Sequence, residues 1–311
     1  MQAAKPIDTP QPLWYTCSLN NPLRRTVMKL SFTKMHGLGN DFMVINAVSQ
    51  RLSLTPELIS QWADRRTGVG FDQLLLVESA THPEFDFNYR IFNADGSEVG
   101  QCGNGARCLA RFIAEEGLSH KKTLRVCTLT SALTLTLLDN QQVAVDMGVP
   151  QFSPAQIPFI AEVPAVTYDL NIGTTQVNIG ALSLGNPHAI VQVESVETAP
   201  VKSWGPLIEA HDRFPQQVNV GFMQILNPQP IKLRVYERGA GETQACGSGA
   251  CAAVVYGRLQ QQLDREVIVS LTGGDLCVGW DRLTDPVIMT GPATTVFKGM
   301  LEYDARHSTE N

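Results

Sequence analysis

The chain has 311 residues, of which 43% are hydrophobic and 17% charged, with a formal net charge of −6. That composition is ordinary for a soluble globular protein with room for two domains, and its acidic balance argues against nucleic acid as a partner. No apolar run reaches bilayer length, the start of the chain lacks a signal-peptide layout, and seven cysteines without small-module spacing point to free thiols in a reducing cytoplasm.

Residues 1–27 carry Pro6, Pro10, Pro12 and Pro22 with no sustained apolar period and read as a flexible N-terminal extension. Met28-Lys29-Leu30 opens a strand pattern, Met43-Val44-Ile45 follows a Gly37–Asp41 turn, and Thr55-Pro56-Glu57 starts a helix through about Arg66, with Thr as cap and Pro at the first position. Phe85 to Ile91 alternates like a half-buried strand, and Asn93-Ala94-Asp95-Gly96 turns into the stretch Gln101 to Cys108 and an apolar helix carrying Ala106, Leu109, Ala110, Phe112 and Ile113. Strands near 124–129, 132–138 and 143–147 close a first domain, 28–147. Prolines 150, 154, 158 and 164 mark the passage to a second, 148–291. It is expected to hold a strand at 188–193, a helix near 199–212, strands at 220–226 and 231–237, a cysteine loop, an apolar helix to about Gln262, and strands near 266–271, 276–280 and 287–290. One more strand at 293–303 is in excess of the repeat, and 292–303 is expected to return to the first domain; 304–311 is a tail.

The order of elements repeats, and so do its polar landmarks. Gln101-Cys102-Gly103-Asn104-Gly105-Ala106-Arg107-Cys108 recurs as Ala245-Cys246-Gly247-Ser248-Gly249-Ala250-Cys251, and Gly39-Asn40 followed by an apolar strand recurs as Gly185-Asn186. Asn40 to Gln73 and Asn186 to Asn219 each span 33 residues, while Asn93 to Cys102 and Glu237 to Cys246 each span nine. The pattern reads as an internal duplication, α+β in class, whose two halves face each other across a cleft.

Each cysteine precedes a glycine-spaced turn into a helix, where free amides form an anion site and favour thiolate. Taken singly, either cysteine could be a small core residue; the duplication favours Cys102 and Cys246 as a working pair, whereas Cys108 and Cys251 fall inside the helices and read as packed thiols. Two thiols on one cleft suit removal of a proton from a carbon alpha to a carboxylate on one face and its return on the other. The amides then stabilise the enolate-like charge. No dinucleotide fingerprint, phosphate loop, His-Glu-x-x-His or Cys-x-x-Cys is present, so neither a cofactor nor a metal is expected.

Met35-His36-Gly37-Leu38-Gly39-Asn40-Asp41-Phe42, Phe92 to Glu98, the Cys102 and Cys246 motifs, Gly185-Asn186-Pro187-His188, Asn219 to Phe222 and Tyr236 to Gly249 together resemble the diaminopimelate epimerase family, from about Met28 to Tyr303. The resemblance implies two pseudo-symmetric domains, each a curled, barrel-like mixed sheet around a central helix, in a homodimer. It implies a cofactor-independent two-base epimerase acting on LL- and meso-diaminopimelate, with Cys102 and Cys246 as the thiol pair. Gly103, Asn104, Gly247 and Ser248 would serve the carboxylate at the reacting carbon, Asn40, His188 and Glu237 would flank that carbon and its ammonium, and Gln73, Asn93, Asn186, Asn219 and Arg238 would hold the distal end. The residues themselves support Arg238, since a guanidinium grips a carboxylate bidentately. They leave open whether Glu237 holds the ammonium or tunes a thiol, and His36 reads as structural. Rival readings are a proline-type racemase, which would not need Arg238, a thiol redox protein, and an amino-acid binding protein.

Overall fold

The computed structural model describes residues 27–50 and 52–304; the expected extension before Val27 and the tail after Asp304 lie outside the described residues. The first half runs β1 (Val27–Gly37), β2 (Asn40–Asn46), α1 (Pro56–Ala63), β3 (Gln73–Ser79), β4 (Phe87–Asn93), β5 (Glu98–Val99), α2 (Gly103–Glu115), β6 (Thr123–Cys127), β7 (Ala132–Leu137) and β8 (Val143–Asp146). The second runs β9 (Tyr168–Ile172), β10 (Thr175–Ser183), β11 (Pro187–Gln192), α3 (Val201–Glu209), β12 (Asn219–Ile225), β13 (Pro230–Glu237), β14 (Gly241–Thr243), α4 (Gly247–Leu259), β15 (Glu266–Leu271), β16 (Gly274–Gly279), β17 (Ile288–Gly291) and β18 (Thr294–Asp304).

Helix limits follow local hydrogen bonding. Thr55 caps α1, accepting from the Leu58 amide at 3.3 Å. The helix stops at Ala63, short of the expected Arg66, because the Asp64 carboxylate takes the Arg66 and Thr67 amides into a turn. α3 is likewise shorter than 199–212: Pro200 stands outside it as cap, and past Glu209 short turns take over, with the His211 amide on Ile208 and the Phe214 amide on His211. α4 ends at Leu259 rather than Gln262, since Gln261 adopts φ +61° and the Gln261 and Gln262 amides close back onto Arg258 and Gly257, a Schellman stop. The β9–β10 hairpin falls in the stretch that the prolines mark as a passage; Tyr168, Leu170 and Ile172 alternate inward, and Gly173 at φ +61° makes the turn.

The two halves use one ladder plan. In the first, β18–β1–β2 is antiparallel, β2–β3 parallel, β3–β4 antiparallel, β4–β6 parallel and β6–β7–β8 antiparallel. In the second, β9–β10–β11, β11–β12, β12–β13, β13–β15 and β15–β16–β17 repeat those senses in that order. β8 and β17 pair antiparallel, Val143 with Gly291 through Asp146 with Ile288, and so join the halves into one continuous sheet. Each half curls around its own helix without a ladder closing it into a barrel among the described residues. β18 pairs antiparallel with β1, from Val27 opposite Asp304 to His36 opposite Thr294.

α2 is enclosed by β1, β2, β3, β7, β8 and β18, and α4 by β10–β13 and β15–β17. α4 is therefore apolar nearly all round, whereas α2 buries Asn104 and Arg107 among its apolar residues, and one apolar core surrounds both. Outer layers form where α1 covers the back of β3 and α3 covers β12 and β13. Close approach of α4 to β10 depends on Gly180, where a Cβ would meet the Tyr256 ring at 2.1 Å. Gly180→Ala is expected to lower stability by about 1–3 kcal/mol, read as a lower urea midpoint with an unchanged slope. Combining it with Tyr256→Leu should recover part of that loss.

Candidate active site

Cys102 and Cys246 are each the N-cap of a central helix. Cys102 sits in extended backbone at the start of α2, and its Sγ accepts the Gly105 amide at 3.3 Å. Cys246 holds the same position on α4, with Sγ 3.7 Å from the Ser248 hydroxyl. Neither helix has an acidic residue in its first turn, so the positive ends of both dipoles are left for an external anion. The first helical residues are both glycine, and a side chain at either would have to displace the end of Met289: a Cβ on Gly103 would come within 3.0 Å of Met289 Cε and one on Gly247 within 2.8 Å of Met289 Sδ. Met289, on the seam strand β17, thus packs beneath both helix starts.

Side chains from the first half fan out from Cys102. Asn40 Oδ1 is 3.9 Å from Cys102 Sγ, and Asn40 Nδ2 donates to Asp72 at 2.9 Å. Asp72 is in turn held by Arg65, which also grips Asp41 through both terminal nitrogens. Asn104 Nδ2 faces Asn40 Oδ1 at 3.4 Å and donates across the seam to the Ala245 carbonyl at 2.9 Å, next to Cys246. Gln73 and Asn93 bond each other at 2.9 Å from adjacent strands.

The second half mirrors this on Cys246. Asn186 Nδ2 donates to the Ser248 hydroxyl at 3.3 Å, and its Oδ1 lies 3.0 Å from His188 Nε2. Glu237 accepts from the Thr243 hydroxyl and lies beside Cys246. Asn219 accepts the Arg238 amide and donates to the Pro187 carbonyl, while the exposed Arg238 guanidinium reaches the Gln216 carbonyl at 3.0 Å. His36 accepts the Gly39 amide in the β1–β2 turn, a structural placement.

Burial dominates the protonation states. It pushes the Cys102 thiol up to about 11, opposed by the Gly105 amide and by Arg107. The Cys246 thiol is pushed well above its usual range by burial and by the neighbouring Glu237, and burial also raises Glu237. His188 is driven down to about 3, by burial and then by Arg238, so its imidazole is neutral. Because Asn186 Oδ1 can only accept, His188 Nε2 carries the proton and Nδ1 is a bare acceptor. Nδ1, Gln73 Oε1 and the Tyr89 hydroxyl are buried without a partner among the described residues. Unsatisfied groups of this kind beside a pair of helix N-termini suit a polar, zwitterionic ligand.

Comparison with known proteins agrees with that chemistry. The family model described as diaminopimelate epimerase matches residues 32–153 and 180–296. A curated protein of Ectopseudomonas mendocina (strain ymp) named diaminopimelate epimerase is 54% identical over 274 residues, 88% of this chain and 99% of its own. This chain belongs to the diaminopimelate epimerase family. The fold extends further: a hydroxyproline epimerase from Agrobacterium vitis solved with trans-4-hydroxy-L-proline has a TM-score of 0.66 at 14% identity, covering 92% of this chain and 95% of its own. A PhzF-family phenazine biosynthesis protein of Bacillus anthracis has 0.62 at 18% identity, covering 88% and 99%. Relative to these motifs, sequence reading passed over Asp72, Thr243, Met289 and Arg107, all of which touch an epimerase-motif residue. Thr243 and Arg107 both lie inside quoted motifs, but only Arg107 carried a signal of its own, as a charged residue in a largely apolar helix.

Two measurements test the electrostatics. A thiol near 11 is ionised to roughly one part in a thousand at pH 8, so iodoacetamide should label Cys102 in the ligand-free protein at a rate rising about tenfold per pH unit from pH 7 to 10, with Cys246 slower. A plateau below pH 9 would contradict the burial. For His188, the folded value near 3 lies below the unfolded value of about 6.5. The unfolded chain therefore binds a proton that the native one does not, and stability falls as pH drops from about 6.5 toward 3. His188→Gln should flatten the decline in unfolding free energy between pH 6.5 and 4.5, whatever its offset.

Proposed function

We propose that this chain interconverts LL- and meso-2,6-diaminopimelate without a cofactor, using Cys102 and Cys246 as a two-base pair, in synthesis of lysine and of the peptidoglycan precursor. The observation that carries the reading is the pairing of two cysteine N-caps across one seam, joined by the Asn104–Ala245 hydrogen bond. One sulfur, as thiolate, takes the α-proton from one face; the other, as thiol, gives a proton to the opposite face, and the two exchange states over a turnover. The amides of Gly103-Asn104 and Gly247-Ser248 hold the α-carboxylate and stabilise it as it gains enolate character. His188 Nδ1 and Glu237 are suited to accept from the ammonium; Asn40 flanks the reacting carbon. Gln73, Asn93, Asn186, Asn219 and Arg238 hold the distal amino acid.

Both thiols are protonated at neutral pH in the ligand-free state, so ionisation has to accompany binding, when the substrate ammonium enters beside them. The proline-type reading is disfavoured because a cyclic imino acid has no distal carboxylate for Arg238. We further propose residues 28–147 with 292–303, and 148–291, as the two domains, a cytoplasmic location, and a homodimer. No helix among the described residues is long and apolar enough to cross a membrane, and exposed Val296, Phe297 and Met300 on β18 offer an apolar strip for a second copy.

In deuterated water, diaminopimelate should gain solvent deuterium at one α-carbon, with hydroxyproline left unexchanged. Cys102→Ala and Cys246→Ala should each abolish inversion, by about 10³-fold or more, while melting near the parent temperature. Full activity in either variant would remove the two-base mechanism.

A further inference from the structure

Arg107 is an anomaly in the core. It lies five residues after Cys102, where the second half has Cys251, and it is 0% exposed. A buried guanidinium normally has a carboxylate. This one has none among its hydrogen-bond partners: Nε donates to the Pro292 carbonyl at 3.0 Å, Nη1 to Met289 Sδ at 3.6 Å, and Nη2 to Asn104 Oδ1 at 3.0 Å. The space is kept for it by glycines on two strands. A Cβ on Gly37 would stand 3.1 Å from Nη2, and one on Gly291 3.2 Å from Nε.

The bond to Asn104 decides which way that amide points. With Oδ1 taken by Arg107, Nδ2 must face outward, where it reaches both Asn40 Oδ1 and the Ala245 carbonyl across the seam. Three elements then meet at one amide: the β2 start, the α2 start and the loop before Cys246. Turning the amide over would set its oxygen against two other oxygens. The cation also lies near enough to Cys102 to favour its thiolate.

We propose that Arg107 is a positioning residue, acting through Asn104 to hold the two cysteine loops in register for a substrate carboxylate. The proposal rests on the epimerase reading above. It predicts that Arg107→Met raises KM for diaminopimelate about tenfold or more and lowers kcat, that Asn104→Ala does likewise, and that the double variant is no worse than the poorer single one, within about threefold. Multiplicative losses, or an unchanged KM in an Arg107→Met protein that melts like the parent, would overturn it. Should Arg107→Met not fold, Arg107→Lys keeps the charge but not the fork; a folded Lys variant with parental KM would equally refute the role. A second arm needs no substrate: in Arg107→Met, the pH profile of Cys102 alkylation should move to higher pH, and in Arg107→Lys stay nearer the parent. An identical profile in all three proteins counts against the proposal. Failure of the parent protein to exchange diaminopimelate would instead sink the substrate assignment and leave this arm standing.

Discussion

Everything in this molecule is subordinate to bringing two helix N-termini to one place. Such ends carry unsatisfied amides and like partial charges, so forcing them together is unfavourable unless something accepts from them. On α2 the Cys102 sulfur does part of that by accepting the Gly105 amide, and the remaining amides suit an anion. The enclosing sheets hold α2 and α4 in line, and the β8–β17 ladder sets the distance, with Met289 as the floor beneath both.

The scaffold is symmetric while the chemistry is not. Gln73 and Asn93, both neutral, occupy in one half what Asn219 and Glu237 occupy in the other; Asn104 answers to Ser248, and Arg107 to Cys251. The Glu237 carboxyl lies beside Cys246 and the Arg107 guanidinium nearer Cys102. The two sulfurs therefore do not rest in equivalent surroundings. An enzyme that must hold one base charged and its opposite number protonated gains from such inequality, since identical sites would have no preferred starting state.

The duplicated fold was legible because glycine-cysteine turns cannot be moved without breaking the helix caps, and constant spacings such as Asn93–Cys102 and Glu237–Cys246 survive with them. Strand periodicity located most of the ladder. The β9–β10 hairpin escaped because prolines just before it mask a clean inward alternation at Tyr168, Leu170 and Ile172. Helix ends were overrun at α1, α3 and α4, where a side-chain turn at Asp64 or a left-handed Gln261 overrides continuing helical propensity. For the site, the residues of the family motif could be named, but Asp72 and Met289 lie in unremarkable stretches and join it only through contacts that folding creates.

Pairing of β1 with β18 sets Val27 opposite Asp304, so the first and last strands finish side by side. Written with β18 ahead of β1 and opened between β8 and β9, the chain would read β9 to β17 and then β18 to β8, two tandem copies of one plan with no borrowed strand. A circular permutant of the described residues, joining 304 to 27 through a short linker and opened at the exposed stretch 162–166, would keep every ladder. The present connectivity is one of two cuts through the same ring, and the cleft is indifferent to which was taken.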